Sequence, residues 1–325
     1  MLVDHPLPAH RPGQVIVDVD LCGICGSDLH APHLPQVYTG GFVMGHEAAG
    51  RVSWVGDQVD GWTVGDRVAI NPNGNVDGTC EHCRAGRVNF CRQATMETAL
   101  GMQMDGALAP QMAVFPGSLR ALPESMPRIA SGWVEPMAIA LRAVDLAGDV
   151  AGRTLVVTGG GPIGQLVLRL AKARGAARLI LVEPSPGRRA CGTASGADSV
   201  LTPEEAAEDV GDLLADVVVE ASGSGSASEL GLGALVPQGI FVVVGAGQGN
   251  VLDSASVLLK EITVRGSFTY TDEFDAAIGV LSQGLVAVDD LTSVVAPLDD
   301  ALAAFQTLRD ASTMKVLIEP TLHQR

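Results

Sequence analysis

Two short segments near the N-terminus contain a thiol and an imidazole that could bind a catalytic zinc ion. Cys25 and His46 are these candidate ligands, and a catalytic zinc needs three protein ligands and one open coordination position. Two acids qualify as the third ligand: Glu47, which adjoins His46, and Glu135, in a Val-Glu-Pro segment. Asp28 could accept a hydrogen bond from the free ring nitrogen of His46. Taken singly, the cysteine and the histidine would be interpreted as core residues.

Four further candidate ligands lie close together in the sequence, in the pattern D-x2-C-x2-C-x7-C. They are Asp77, Cys80, Cys83 and Cys91. Three thiolates and one carboxylate can form a closed tetrahedral zinc site, which would stabilise a loop too polar to pack by itself. The alternative is that a carboxylate in place of a fourth thiolate leaves the metal weakly bound or absent. Either way the site is structural, because the pattern implies no open coordination position.

A glycine-rich turn between a predicted strand and a predicted helix has the pattern G-x-G-x-x-G. The residues predicted to contact a cofactor there are Gly159, Gly161, Pro162, Ile163 and Gly164. Such a turn allows the backbone to approach a pyrophosphate, while the helix N-terminus supplies amide donors. Glu183 follows the next predicted strand, where an acid would hydrogen-bond the ribose hydroxyls and favour NAD over NADP. Arg188 and Arg189 lie just beyond it and leave NADP open.

The elements that must position these side chains have two distinct patterns. Before about residue 120 the chain shows short alternating strands, for example at 15–19 and 49–52, separated by glycine turns. Apolar strands at 154–158, 179–182, 216–219 and 240–244 then alternate with helical stretches such as 165–174. This alternation predicts a doubly wound parallel sheet. After residue 270 an amphipathic stretch at 301–305 and a strand at 316–318 are expected to return to the first domain.

The composition limits the classes of partner and the compartment. A chain of 325 residues predicts two domains, and 47% hydrophobic residues with 4% aromatics suit a core of aliphatic side chains. The net charge of −16 would be repelled by nucleic acids and anionic membranes, so neither is expected as a partner. The N-terminus shows no signal-peptide pattern and no apolar run is long enough to span a bilayer. A cytoplasmic protein with reduced cysteines is therefore expected.

These motifs, in this order, resemble those of the zinc-containing medium-chain alcohol dehydrogenases, closest to the polyol, butanediol and threonine dehydrogenase branch. The resemblance covers nearly the whole chain. It implies an α/β protein with a GroES-like, β-rich catalytic domain and a Rossmann domain, a doubly wound parallel sheet that binds the cofactor. The expected boundaries are 1–136 for the first part of the catalytic domain, 137–269 for the cofactor domain and 270–325 for the segment that completes the catalytic domain.

The same resemblance implies roles for individual residues. Cys25 and His46 would be catalytic zinc ligands, while Glu135 matches the glutamate of the polyol enzymes and Glu47 is the alternative third ligand. Ser27 matches the hydroxyl that contacts the substrate oxygen, and His30 matches the histidine that passes the proton to solvent. The implied reaction is hydride transfer between an alcohol and NAD, with NADP possible. A homodimer or homotetramer is expected, and the strand near residues 264–268 is a candidate for sheet extension between subunits.

Two departures from the family pattern and two alternative functions remain at this point. Asp77 stands where the family usually has a fourth cysteine, and few residues precede the segment resembling Pro8 to Val19, where the family has an opening strand pair. A zinc-free NADPH-dependent quinone or enone reductase and a non-enzymatic nucleotide-binding scaffold are the alternatives. The combination of Cys25, His46 and Glu135 argues against both alternatives, because neither a zinc-free reductase nor a scaffold needs these metal ligands.

Overall fold

The computed structural model describes residues 2–31, 38, 40–247 and 252–320. It forms two compact units. Unit 1 comprises Met1–Glu135 and Phe274–Arg325, and unit 2 comprises Pro136–Glu273. Among the described residues, no helix combines the length and the apolar character that crossing a membrane requires.

The strands and helices are numbered in chain order. The strands are β1 (Val15–Gly23), β2 (Glu47–Val55), β3 (Arg67–Ile70), β4 (Gln111–Val114), β5 (Leu119–Ala121), β6 (Thr154–Thr158), β7 (Arg178–Val182), β8 (Ser199–Leu201), β9 (Ala215–Glu220), β10 (Leu235–Val243), β11 (Thr263–Gly266), β12 (Thr292–Pro297) and β13 (Lys315–Glu319). The α-helices are α1 (Gly26–His30), α2 (Glu81–Arg84), α3 (Arg128–Ser131), α4 (Val134–Ala147), α5 (Pro162–Ala173), α6 (Pro186–Ala194), α7 (Pro203–Glu208), α8 (Gly225–Ala234), α9 (Ser254–Leu259), α10 (Glu273–Ser282) and α11 (Ala301–Thr307).

Unit 1 contains a seven-stranded sheet in the order β12-β13-β1-β2-β3-β5, with β4 also paired to β1. Strand β1 is almost completely buried because it pairs with three neighbours, β2, β4 and β13, all antiparallel. Its β-branched side chains alternate with acids and pack into a core that includes Val15, Val17, Val52 and Val68. The last strand of the chain, β13, therefore lies beside the first.

Unit 2 contains a six-stranded sheet in the order β11-β10-β9-β6-β7-β8, and every pairing in it is parallel. This confirms the doubly wound parallel sheet predicted from the alternating pattern. The apolar runs have no polar face because helices cover both sides of the sheet, as in other parallel sheets. The strand order reverses between β6 and β9, which is where ligands bind in open α/β sheets. The glycine turn follows β6 directly at that position.

Candidate active site

Strand pairing explains why the segments of Cys25 and His46 meet. β1 and β2 are antiparallel, and Gly23 at the end of β1 lies opposite Glu47 at the start of β2. Cys25 follows β1 and precedes α1, while His46 directly precedes β2. Both residues therefore lie at the same end of the strand pair. One ligand atom from each of Cys25, His46 and Glu47 lies within 4.8 Å of the other two.

The imidazole of His46 is buried in an acidic environment. Its Nδ1 atom lies 3.5 Å from Asp28 Oδ1, an ion-pair contact that falls short of a well-formed hydrogen bond. Asp28 is fixed in turn by the Cys25 backbone N–H, which donates to Oδ2 over 3.0 Å. Burial lowers the pKa of His46, but the charges of Asp28, Cys25 and Glu135 outweigh it and raise the pKa well above its usual value. This position therefore attracts a cation.

Glu135, the other candidate third ligand, is not part of the group of three atoms within 4.8 Å. It is buried, with 8% of its surface exposed, as the second residue of α4. Burial raises the pKa of Glu135 to about 7, with a further increase from the charge of Glu47 and opposing effects of His46 and Lys315. Its carboxylate thus belongs to the same electrostatic environment as the three grouped ligands.

Lys315, which none of the sequence motifs includes, is buried beside this cluster. Its ammonium forms an ion pair with Glu47 and donates to the backbone carbonyl of Ile24 over 3.1 Å. It also lies 5.8 Å from the centre of the Trp133 ring. The signal available in the sequence was a lone lysine at the start of the apolar closing strand. The pairing of β13 with β1 brings this lysine to Glu47.

These residues fit a zinc ion. A thiol sulfur, an imidazole nitrogen and a carboxylate oxygen are the donors that Zn²⁺ prefers, and three protein ligands leave one coordination position for a substrate. The excess of buried acidic groups around His46 is the environment that a divalent cation would neutralise.

Ser27 and His30, the predicted proton carriers, are both on α1 directly after Cys25. Ser27 is half-buried and His30 is exposed. The hydroxyl of Ser27 lies 2.9 Å from the hydroxyl of Tyr38, a residue that sequence analysis did not identify. Tyr38 was visible as one of only two tyrosines in the chain, located between the two motifs. Its significance depends on a contact that spacing does not reveal.

The second predicted cluster also comes together, with one ligand atom from each of its four residues within 4.8 Å of the others. Asp77 Oδ1 accepts hydrogen bonds from the backbone N–H groups of Thr79 and Cys80, and Oδ2 lies 3.4 Å from Cys91 Sγ. Those N–H groups lower the pKa of Asp77. Burial and the neighbouring thiols Cys80 and Cys91 raise the pKa of Cys83 to about 12. The donors fit a closed zinc site that would ionise the thiols.

The glycine turn has the geometry of a phosphate-binding loop. Gly159 has a φ of 98°, in the left-handed region that favours glycine. A Cβ on Gly164 would collide with the carbonyl oxygen of Gly159, so α5 can pack closely on β6 only with glycine there. Gly161 is the N-cap of α5, Pro162 and Ile163 form its first turn, and the space beside the Gly161 Cα is open. That space fits the pyrophosphate of a dinucleotide.

Glu183 follows β7 and contacts this turn. Its two carboxylate oxygens accept hydrogen bonds from the backbone N–H groups of Gly160, over 2.6 Å, and Ser185, over 2.8 Å. Gln165, fully buried on α5, donates to the carbonyls of Gly160 and Arg188 and so joins the turn to α6. The helical pattern of the sequence predicted only that Gln165 lies on a helix, although a polar side chain on the apolar face of α5 was a visible signal.

Comparison with known proteins identifies the family. Residues 11–124 match the alcohol dehydrogenase GroES-like domain and residues 162–283 match the zinc-binding dehydrogenase domain. The chain is 34% identical to D-xylulose reductase A of Aspergillus niger, over 97% of this chain and 92% of that protein. It is 32% identical to a sorbitol dehydrogenase of Bombyx mori, over 96% of this chain and 93% of the relative.

A solved structure with the same fold supports this assignment. It is a Sinorhizobium meliloti protein classed as a zinc-binding dehydrogenase and bound to NADP, with a TM-score of 0.89 and 30% identity. The match covers 97% of this chain and 94% of that structure. The GroES-like and Rossmann fold class, the zinc and nicotinamide cofactors and the alcohol dehydrogenase activity expected from the sequence are thereby confirmed. The chain belongs to the zinc-containing medium-chain dehydrogenase family and is an NAD(P)-linked oxidoreductase that acts on small-molecule alcohols.

Proposed function

We propose that this protein oxidises a secondary hydroxyl of a polyol, using NAD and a zinc ion bound by Cys25, His46 and Glu47. The observation that carries the proposal is the sulfur, nitrogen and oxygen donor set within 4.8 Å, next to the half-buried hydroxyl of Ser27. Relatives that act on sorbitol and D-xylulose, as their names state, favour a polyol over a simple alcohol.

When bound, the zinc ion would act as a Lewis acid that lowers the pKa of the substrate hydroxyl, and NAD would accept the hydride. The protein supplies orientation and a proton route. Ser27 would accept the proton of the substrate hydroxyl as it gives up its own, and His30, exposed at the end of the same helix, would deliver a proton to water. Asp28, whose Oδ1 lies 3.5 Å from Nδ1 of His46, orients the His46 ring.

Glu47 is favoured over Glu135 as the third ligand because only Glu47 belongs to the group within 4.8 Å. The buried ammonium of Lys315 forms an ion pair with the Glu47 carboxylate and fixes its position. Glu135 then contributes negative charge to the site and stays available as an alternative ligand.

NAD is favoured over NADP by the position of Glu183. Its carboxylate accepts one hydrogen bond from the Gly160 N–H of the glycine turn and one from the Ser185 N–H, and a negative charge there would repel a 2′-phosphate. NADP stays the second candidate because the similar S. meliloti structure contains it. Arg188 is a candidate to bind the 2′-phosphate of NADP, because its Nε atom is buried without a hydrogen-bond partner among the described residues.

Three expectations from the sequence stay predictions. A homodimer or homotetramer is one, for which β11 offers a sheet edge paired only with β10 among the described strands. A cytoplasmic location is the second. The third is the division into domains at 1–136, 137–269 and 270–325.

The test is NADH production from a panel of polyols, secondary alcohols and hydroxy amino acids, with zinc quantified in the same preparation. We expect turnover that a chelator abolishes and added zinc restores. Cys25→Ala should lower kcat about a thousandfold, since it removes a ligand of the polarising metal. Cys191→Ala, which removes a half-buried thiol on α6, is the control and should keep normal turnover.

Two results would contradict the proposal. Normal turnover by Cys25→Ala would remove this cluster from the mechanism. Chelator-resistant reduction of quinones or enones with NADPH, without alcohol oxidation, would instead identify the zinc-free reductase.

A further inference from the structure

Glu220, the last residue of β9, is a fully buried acid that follows three valines. In the parallel pairing of β9 with β6 it lies opposite Thr158, the last residue of β6. The strand order reverses between these two strands, so Glu220 stands where the crevice for a dinucleotide opens. A buried polar group costs free energy unless it is hydrogen-bonded, which raises the question of what Glu220 binds.

The carboxyl group of Glu220 is hydrogen-bonded to the loop that follows it. Its Oε1 atom accepts from the backbone N–H groups of Ser222, over 2.7 Å, and Gly223, over 2.9 Å, and from the Ser222 hydroxyl over 2.5 Å. A backbone N–H can only donate, so Oε1 serves as an acceptor that an amide oxygen could replace. One oxygen atom thus fixes two consecutive residues of the loop that leads into α8.

This loop packs against the turns that follow both neighbouring strands. A Cβ on Gly159, the first residue of the glycine turn, would come within 2.9 Å of the Ser222 Cβ and 2.8 Å of the Ser222 backbone nitrogen. A Cβ on Gly245, after β10, would collide with the Gly223 nitrogen and lie 2.8 Å from Glu220 Oε2. Three neighbouring turns at the carboxyl edge of the sheet are therefore in close contact, and Glu220 fixes the middle one.

We propose that Glu220 is a positioning residue for the nicotinamide cofactor, which holds residues 221–223 as a preformed wall of the crevice beside the glycine turn. Without its hydrogen bonds, these residues would have to be ordered when the dinucleotide binds, and the lost backbone entropy would oppose binding. The inference rests on the dinucleotide-binding part of the proposed function and does not depend on the alcohol substrate.

Two replacements of Glu220 and one of another acid on the same strand test the proposal. Glu220→Met retains an unbranched side chain and removes the acceptor, whereas Glu220→Gln retains an oxygen for the three donors. Asp216→Leu is the matched control. Asp216 lies near the start of β9, at the opposite edge of the sheet, and accepts the backbone N–H of Thr154 over 2.9 Å.

The dissociation constant of NADH is measured by fluorescence titration of the zinc-containing protein, without an alcohol. We expect Glu220→Met to raise it about twentyfold, because ordering the loop then opposes binding. Glu220→Gln should raise it less than about threefold, since a neutral acceptor forms weaker bonds than a carboxylate. Asp216→Leu should change it less than about twofold, even where the melting temperature falls.

Ser222→Ala keeps the test decisive if Glu220→Met does not fold. Ser222 is exposed, and its hydroxyl donates to Glu220 and accepts the backbone N–H of Ser224 over 3.1 Å. Both bonds order the same loop, and the buried strand is not altered. We expect the dissociation constant of NADH to rise about threefold with the melting temperature nearly unchanged.

Four results would overturn the inference. Normal NADH affinity in Glu220→Met would refute the positioning role even if the melting temperature falls, and normal affinity in Ser222→Ala would refute it where Glu220→Met does not fold. A loss in Asp216→Leu equal to that in Glu220→Met would mean general destabilisation. Affinity in Glu220→Gln as weak as in Glu220→Met would mean that the charge of the group matters and the acceptor does not. No NADH binding by the original protein would refute the dinucleotide-binding part of the proposed function, whereas NADH binding without polyol oxidation would refute only the substrate.

Discussion

The two candidate zinc clusters differ in how the fold assembles them. Cys25 and His46 come from separate segments that the antiparallel pairing of β1 and β2 brings together, and Lys315 arrives from the other end of the chain on β13. All four members of the second cluster lie within residues 77–91, in a segment whose regular structure is limited to α2 and one 3₁₀ turn. The first cluster is therefore ordered by a sheet, whereas the second is ordered by its own ligands.

The clusters also differ in how their charge is balanced. In the first, the ammonium of Lys315 is buried against Glu47 and supplies one positive charge before any metal binds. In the second, burial and then the thiols of Cys80 and Cys91 raise the pKa of Cys83, so full ionisation of the donors requires a cation from outside. We infer that the first site keeps its shape without metal and that the second does not.

The largest effect is expected from removing the internal cation of the first cluster. Lys315→Met leaves the buried Glu47 carboxylate without its partner, and breaking a buried ion pair on one side costs about 3 kcal/mol. The free energy of unfolding of the zinc-free protein, measured by denaturant titration, should fall by about that amount. Lys172→Met, which removes an exposed lysine, should change it by less than about 0.5 kcal/mol.

The double variant Lys315→Met/Glu47→Gln separates loss of the charge pair from loss of packing. It removes both charges of the pair and should recover most of the stability, because neither of them is left buried without its partner. If Lys315→Met alone is as stable as the original protein, the first cluster has no internal charge balance and the comparison fails.

The next effect distinguishes the two acids of the first cluster. Glu47→Gln should weaken zinc binding about a hundredfold, whereas Glu135→Gln should weaken it at most about tenfold, as for a group that acts on the metal from outside the ligand set. Competition with a chromogenic zinc chelator measures both affinities under the same conditions. The reverse order would identify Glu135 as the third ligand and leave Glu47 as the partner of Lys315.

Sequence patterns predicted the fold class and the groups of chemically active residues because both depend on local signals. The turn from Gly159 to Gly164 follows a strand and begins a helix, and the Asp77 to Cys91 pattern lies within one loop. Spacing alone was enough for these features.

What the sequence did not reveal depends on long-range pairing. Lys315 reaches Glu47 only because β13 lies beside β1, and the contact between Tyr38 and Ser27 joins residues that are 11 positions apart in the sequence. The sequence left the choice between Glu47 and Glu135 open, since both are acids in suitable motifs. Among the described residues, the structure groups only Glu47 with Cys25 and His46.

The smallest effect is expected from the carboxylate of the second cluster. If Asp77 is a ligand, Asp77→Ala should release zinc to a chelator about tenfold faster, and Asp77→Cys should release it about tenfold more slowly, because thiolate is the softer donor.

Asp77 also accepts hydrogen bonds from the backbone N–H groups of Thr79 and Cys80, so Asp77→Asn is the necessary control: it retains an acceptor for the turn but loses the charged ligand. Release from Asp77→Asn at the rate of the alanine variant would identify Asp77 as a ligand. Release at the original rate would mean that Asp77 only shapes the turn and that three thiolates hold the metal. In each variant, kcat per catalytic zinc should stay within about twofold, because the second cluster has no open coordination position for a substrate.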